Sequence, residues 1–219
     1  MTADADASAA WAALEPPWRA CLELAWRAYG AGTIPVGAAL TDSAGTIVAE
    51  ARNRVYEKTA PAGQIANSLL AHAEVNALVR LDPERRYEDH ALYTALEPCV
   101  LCVGAAVMAT VGRIAYAGAD PYGGGGESGL AGVNPHVERV PLRLDGPRED
   151  RFGRLASALL LAFFLRRRPE GHVVAAYATH APHLRPVADA LLAQGAPEQA
   201  ADGVPLADAL PALWDALGR

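Results

Sequence analysis

One stretch restricts the fold of this chain more than any other. The predicted strand ALYTALE, residues 91–97, runs without a loop into a predicted helix that opens with PCVLC. Proline is favoured at the first helical position, so we expect Pro98 to stand there. A strand that passes directly into a helix places Cys99 and Cys102 at the mouth of a β-sheet. The sequence therefore predicts an α/β fold with two cysteines at the end of this strand.

The rest of the chain alternates between strand-like and helix-like patterns. Apolar residues recur with helical spacing in three segments, and shorter apolar runs bounded by turn residues predict strands. Pro61 and Gly63 mark a loop. The predicted elements are a helix over 17–29, a hairpin with strands over 34–40 and 45–51, a loop over 54–68, a helix over 69–81, a strand over 113–118 and a helix over 155–168.

These elements group into two regions. We expect one domain over residues 1–168 and a C-terminal extension, residues 169–219, that packs on it. Within the extension, HVVAAYA is weakly strand-like and two short alanine-rich segments are helical. The apolar run 155–165 is far shorter than the roughly 20 residues that a membrane span requires, and it is predicted to be a core helix.

Composition excludes several classes of protein. The chain has 219 residues, 52% of them hydrophobic and 20% charged, which is typical of a folded protein and not of a disordered one. Three cysteines are too few for a disulfide framework, and the N-terminus lacks a secretory pattern, so we expect a cytoplasmic protein. A net charge of −6 makes nucleic acid a poor default partner.

The candidate chemistry lies in the cysteine pair and in the sequence HAE at residues 72–74. Cysteines three apart at a helix N-terminus can bind one ion, and the helix dipole favours the thiolate form. His72 adds an imidazole, and two thiolates with one imidazole form a catalytic Zn²⁺ ligand set that leaves a fourth position for water. Glu74 is the candidate group for moving protons. Because residues 72 and 74 do not share a helical face, we expect His72 at the helix start.

HAE, followed after 23 residues by PCVLC, resembles the zinc-dependent cytidine and deoxycytidylate deaminase superfamily. The similarity extends to PVGAAL, to the Asn53–Arg54 pair and to the segment from LYTALEPCVLC to AGADP, which resembles the branch of tRNA adenosine deaminases and guanine deaminases. It covers residues from about 17 to 168.

This resemblance implies a three-layer α/β/α cytidine deaminase-like fold with a mixed five-stranded sheet, assembled as a homodimer. It implies that His72, Cys99 and Cys102 hold Zn²⁺ and that Glu74 is catalytic. It also implies that Asn53 and the backbone of Ala73 contact the substrate. The tRNA deaminases carry Asp-Pro-Thr-Ala before HAE, whereas this chain carries NSLLA.

Several alternatives remain at this stage. Asn53 also suits a turn, and Asp120 either contacts substrate or begins a turn with Pro121. The predicted function is hydrolytic deamination of a small nucleobase or nucleoside. The alternatives are deamination of a tRNA wobble adenosine, for which residues 166–168 offer three arginines, and a non-catalytic binding protein of the same fold.

Overall fold

The computed structural model describes residues 3–125, 130, 133, 135–140 and 142–218. In these residues, five strands form one sheet in the order β2-β1-β3-β4-β5. The first three strands of that order pair antiparallel, whereas β3, β4 and β5 pair parallel, so the sheet is mixed as predicted. The strands are β1 Gly37–Thr41, β2 Ile47–Arg52, β3 Ala91–Leu96, β4 Arg113–Gly118 and β5 Arg143–Asp145.

Helices surround this sheet. Every residue of β1 is buried, as are all but the first residue of β3 and of β4, which requires both faces of the sheet to be covered. The predicted α/β fold is therefore confirmed. The helices are α1 Ala3–Ala13, α2 Pro16–Gly30, α3 Ala73–Leu78, α4 Val100–Met108, α5 Pro135–Arg139, α6 Arg151–Arg167, α7 His172–His180, α8 Leu184–Ala193, α9 Ala196–Ala201 and α10 Leu206–Leu217.

The apolar run 155–165 is a core helix, as predicted. It lies in α6, and its residues from Leu155 to Phe163 are all buried. Asp150 begins the helix by accepting hydrogen bonds of 3.0 Å from the backbone N–H groups of Phe152 and Gly153. None of the helices in the described residues is long and apolar enough to cross a membrane.

The prediction for the C-terminal region was partly wrong. HVVAAYA is not a strand but most of α7, in which Val173 and Tyr177 are buried. These residues are four apart and share one helical face, and burial of that face outweighs the strand preference of the valines. The fifth strand of the sheet is instead the short β5, which the sequence did not indicate.

The helices after residue 168 pack on the earlier part of the chain. Helix α8 contacts α6, α9 contacts α2, and α10 contacts α1. Two hydrogen bonds join α2 to the start of α10 and the residues just before it: Trp26 Nε1 donates to the carbonyl of Val204 at 2.7 Å, and Glu23 Oε2 accepts from the N–H of Leu206 at 2.9 Å. A domain boundary at residue 168 stays a prediction.

Candidate active site

The three predicted metal ligands converge. His72 Nδ1 lies 3.6 Å from Cys99 Sγ and 3.4 Å from Cys102 Sγ, and the two sulfurs are 3.6 Å apart. A tetrahedral Zn²⁺ with bonds of about 2.0–2.3 Å to nitrogen and sulfur requires ligand atoms roughly 3.5–3.8 Å apart. The three side chains therefore fit one zinc ion without rearrangement.

The N-termini of two helices bring these ligands together. His72 is the N-cap residue of α3 and Cys99 the N-cap residue of α4, and both have extended backbones. The predicted position of His72 at the helix start is confirmed. Pro98 is not the first helical residue, contrary to the prediction, because Cys99 intervenes between it and Val100. An N-cap residue has a non-helical backbone, which directs its side chain differently from those of the turn that follows.

Interactions among these groups shift their pKa values in opposite directions. The hydrogen bond between Cys99 and Cys102, together with the one between Cys99 and His72, lowers the pKa of Cys99 to about 4. The same hydrogen bond and burial raise the pKa of Cys102, and the contact with Cys99 raises that of His72. The lowered pKa of Cys99 favours its thiolate, which is the form that binds metal ions.

Glu74 lies in the first turn of α3 and is 3% exposed. Burial raises the pKa of its carboxyl group. Thr94, from β3, donates a hydrogen bond of 2.9 Å to Glu74 Oε1. The carboxyl group is therefore held between helix and sheet, beside the three ligands.

A cavity of about 190 Å³ opens at this point. It contains the predicted residues Asn53, His72, Glu74, Cys99 and Asp120 in its lining. Larger clefts of about 370 and 500 Å³ lie elsewhere on the described surface, but their linings include none of the predicted site residues. The site is therefore assigned by its chemistry and not by cavity size.

Asn53 is buried, and its neighbours determine the orientation of its amide. Its Oδ1 accepts a hydrogen bond of 2.9 Å from the Thr33 hydroxyl and one of 3.0 Å from the N–H of Val55. Two donors on one atom identify that atom as the oxygen. Within the described residues Nδ2 donates no hydrogen bond, and Asn53 lines the cavity. The amide N–H₂ is thus available to a substrate.

Asp120 both begins a turn and lines the cavity. Its Oδ1 accepts a hydrogen bond of 3.0 Å from the N–H of Tyr122. Burial raises the pKa of Asp120, and the charges of Glu97 and Cys99 raise it further. Ala73 is fully buried between His72 and Glu74 and is not among the described lining residues, so a substrate contact through its backbone stays a prediction.

Sequence reasoning missed several lining residues. Glu97 accepts a hydrogen bond of 3.2 Å from the N–H of Asp120, and its place directly before Pro98 was the available signal. Phe164 and Val173 also line the cavity, from α6 and α7. Both are apolar residues in helices, so nothing in the sequence around them marked them as part of a site.

Comparison with known proteins agrees with this geometry. The family described as the cytidine and deoxycytidylate deaminase zinc-binding region matches residues 14–118. A tRNA-specific adenosine deaminase of Haemophilus influenzae is 33% identical over 162 residues, which cover 71% of this chain and 86% of that protein. A cytosine deaminase of Candida albicans is 30% identical over 89 residues, which cover 40% of this chain and 54% of that protein.

A solved guanine deaminase of Nitrosomonas europaea has the same fold. Its TM-score is 0.52 at 22% identity, with 69% of this chain and 84% of that one covered. At this identity the likeness extends to the fold only.

Proposed function

The chain belongs to the cytidine and deoxycytidylate deaminase family, and on that premise we propose that it hydrolyses the exocyclic amine of a small nucleobase or nucleoside. It is a zinc-dependent aminohydrolase. The observation that carries the proposal is the convergence of the ligand atoms of His72, Cys99 and Cys102 with Glu74 at one cavity. The overall reaction consumes one water, replaces the amine with oxygen and releases ammonia.

Each side chain has a proposed role in this reaction. His72, Cys99 and Cys102 would hold the zinc ion, which when bound lowers the pKa of a water and so supplies the nucleophile. Glu74 would carry one proton of the attacking water to the ring nitrogen, and the second proton of that water to the departing amine, which leaves as ammonia. The Thr94 hydroxyl keeps one oxygen of Glu74 fixed during these transfers.

Asn53, Glu97 and Asp120 would bind the ring. The free N–H₂ of Asn53 offers a donor, and the two carboxyl groups offer acceptors. A heterocycle with both a carbonyl or ring nitrogen and N–H groups along its edge satisfies all three. A buried polar group left without a partner costs free energy, so this set also discriminates against rings that lack those groups.

Charge favours a small substrate over tRNA. The cavity volume of about 190 Å³ suits one ring and fits both substrate classes, because enzymes that act on a base in nucleic acid also bind that base alone in a pocket. Binding of nucleic acid relies on clustered basic residues, whereas this chain has a net charge of −6. The sequence NSLLA before HAE also departs from the tRNA deaminase pattern.

Two observations support the tRNA alternative. The Haemophilus relative is named a tRNA-specific adenosine deaminase. In addition, the Arg167 guanidinium lies 3.7 Å from the ring centre of Tyr56, which is 38% exposed, and an arginine beside an exposed ring suits a nucleic-acid base. The retained Glu74 argues against the third alternative, a non-catalytic binding protein.

One comparison of substrates tests the proposal. Zinc-loaded protein is incubated at low salt with guanine, adenine, cytosine and their nucleosides, and ammonia is measured. In parallel, inosine is measured in a tRNA anticodon stem-loop at the same enzyme concentration, with a Glu74→Gln variant as background. We expect ammonia from at least one small substrate. Inosine in the stem-loop with no ammonia from any small substrate would establish the tRNA alternative instead.

The proposed assembly is a homodimer in the cytoplasm. Exposed apolar residues support the homodimer: on α4, Val100 is 61% exposed and Met108 70%, and Leu69, three residues before His72, is 80% exposed. The proposed cytoplasmic location rests on the three cysteines, which are unpaired as expected in a reducing compartment.

A further inference from the structure

The cavity beside Glu74 is completed by a part of the chain that the family match at residues 14–118 does not reach. Val173, on α7, is 9% exposed and lines the cavity, as do Leu160 and Phe164 on α6. All three side chains are apolar, and none of them offers a hydrogen-bond partner. This part of the wall thus comes from the last third of the chain.

Helix α7 is held against the site by its connection to α6. Residues 168–171 are all that separate the two helices, and the N–H of Gly171 donates a hydrogen bond of 2.9 Å to the carbonyl of Arg168 within this turn. A connection this short makes the two helices neighbours in space. The position of Val173 is therefore tied to that of Phe164.

The same helix also reaches the segment that carries Asp120. Tyr177 is 1% exposed, and its hydroxyl lies 3.4 Å from the carbonyl oxygen of Ala119, which also accepts a hydrogen bond of 2.8 Å from Ser157 Oγ. Ala119 directly precedes Asp120. One face of α7 thus lines the cavity with Val173 and contacts, through Tyr177, the residue that precedes Asp120.

We propose that α7 forms the wall of the active site that determines its substrate specificity. Val173 on this wall restricts the substrate to a free nucleobase and excludes the nucleoside. This inference rests on the proposed function and narrows its substrate class. A flat ring fits between apolar side chains, because its faces need no hydrogen bonds. A ribosyl group brought against Val173 would lose the hydration of its hydroxyl groups without gaining partners for them.

The test compares two valine variants. Val173→Ala removes two methyl groups from the wall while alanine preserves the helix. Val187→Ala removes the same two groups from a buried valine of α8, which is 3% exposed and does not line the cavity. For each base that the wild-type protein deaminates, kcat/KM is measured for the base and for its ribonucleoside.

We expect the wild-type protein to prefer the base. Val173→Ala should raise the ratio of nucleoside to base kcat/KM roughly tenfold, the effect of one or two methyl groups in an apolar pocket. Val187→Ala should leave the ratio as in the wild type. An unchanged ratio in Val173→Ala, an equal shift in Val187→Ala, or a wild type that accepts both substrates equally would overturn the inference and leave deamination standing.

Measurements of ligand binding test this inference independently of the proposed function. The thermal midpoint of each zinc-loaded protein is measured with guanine, adenine, cytosine and their nucleosides. We expect a base to stabilise the wild-type protein and Val173→Ala, and its nucleoside to stabilise only Val173→Ala. This pattern without any ammonia release would support the wall and refute the proposed function. If no base stabilised the wild type, the wall itself would be refuted.

Discussion

The Thr94 hydroxyl, on β3, donates a hydrogen bond of 2.9 Å to Glu74 Oε1, on α3, and both residues are buried. The strand ends at Leu96, and the chain continues through Glu97 and Pro98 to Cys99. Strand β3 therefore orients the carboxyl group of Glu74 through Thr94, and the residues that follow it lead to Cys99. Helix α3 supplies His72 from its N-cap position and Glu74 from its first turn, and Cys102 comes from the first turn of α4.

Replacing Glu74 with Gln should separate catalysis from metal binding. The amide keeps the size of the carboxyl group but cannot transfer a proton, so kcat should fall by about 10²-fold or more. Zinc content, measured on the purified protein, should stay at the wild-type level. Glu84→Gln, at an exposed position, is the matched control and should retain full activity. Near-normal turnover in zinc-loaded Glu74→Gln would refute the proposed proton transfer.

Cys99→Ala should lose the metal itself. Removing one of three protein ligands leaves a site too weak to retain zinc through purification. Cys21→Ala is the control, because Cys21 is fully buried and its Sγ hydrogen-bonds the carbonyl of Trp18 at 3.3 Å, away from the ligands. Elemental analysis should find zinc in the control only. Full occupancy in Cys99→Ala would show that the ligand set is wrong.

Asn53→Asp should impair substrate binding without unfolding the protein. The new carboxylate can still accept the hydrogen bonds from Thr33 and from the N–H of Val55, but the donor that faces the cavity is lost. We expect kcat/KM to fall roughly tenfold or more, and the thermal midpoint to fall as well, because Asn53 is 2% exposed and a carboxyl group buried there is costly to ionise. Thr33→Ser, which keeps the hydroxyl, should behave as the wild type. Wild-type kcat/KM in Asn53→Asp would remove Asn53 from the site.

Asp150 should make stability depend on pH. Burial opposes ionisation of this carboxyl group, but the hydrogen bond from Arg148 and the N–H groups of Gly153 and Phe152 outweigh it and lower the pKa. A lowered pKa in the folded state means that the stabilisation is fully present above the unfolded pKa of about 3.9 and is lost as the pH falls through the folded value. Asp150→Asn keeps the capping oxygen but not the charge.

Urea unfolding measures this dependence. At about pH 6 the wild type should exceed Asp150→Asn in unfolding free energy, and the difference should shrink as the pH is lowered towards about 3. Asp150→Ala, which also loses the cap, should cost about 1 kcal/mol at neutral pH. A difference between wild type and Asp150→Asn that is independent of pH would exclude a contribution from the charge.

Met108→Glu should weaken self-association. Val100, Gly104 and Met108 form an i, i+4, i+8 row on α4, and open space surrounds Gly104, so this row can receive a second copy of the chain. A charge buried there without a partner is costly, and the dimer dissociation constant should rise roughly tenfold or more. Val48→Glu, at a 49% exposed valine on β2, is the control. Sedimentation equilibrium gives both constants, and equal constants for the two variants would place the interface elsewhere.

Much of the site was predictable because its signals are local. The three-residue spacing of Cys99 and Cys102, and the two-residue spacing of His72 and Glu74, report groups that one helix start can present together. Short apolar runs bounded by turn residues likewise predicted the hairpin of β1 and β2 and the strand before Cys99. Helix α3, however, is shorter than the pattern over residues 69–81, because residues 69 and 70 form a turn and the extended backbone of His72 directs its imidazole to the two cysteines.

Other features depended on contacts between distant parts of the chain. Helix α1 and the three residues of β5 carry no strong local pattern, and they are stabilised by neighbours that the fold supplies. HVVAAYA has the composition of a strand, yet the sheet is complete without it and α6 offers an apolar surface that Val173 and Tyr177 cover as one helical face. Local residue types thus specified the proposed chemistry of this protein, namely a set of zinc ligands and a carboxyl group to carry protons. The shape of the cavity around them arises from packing between segments about 100 residues apart, and side-chain periodicity along the chain carries no information about such packing.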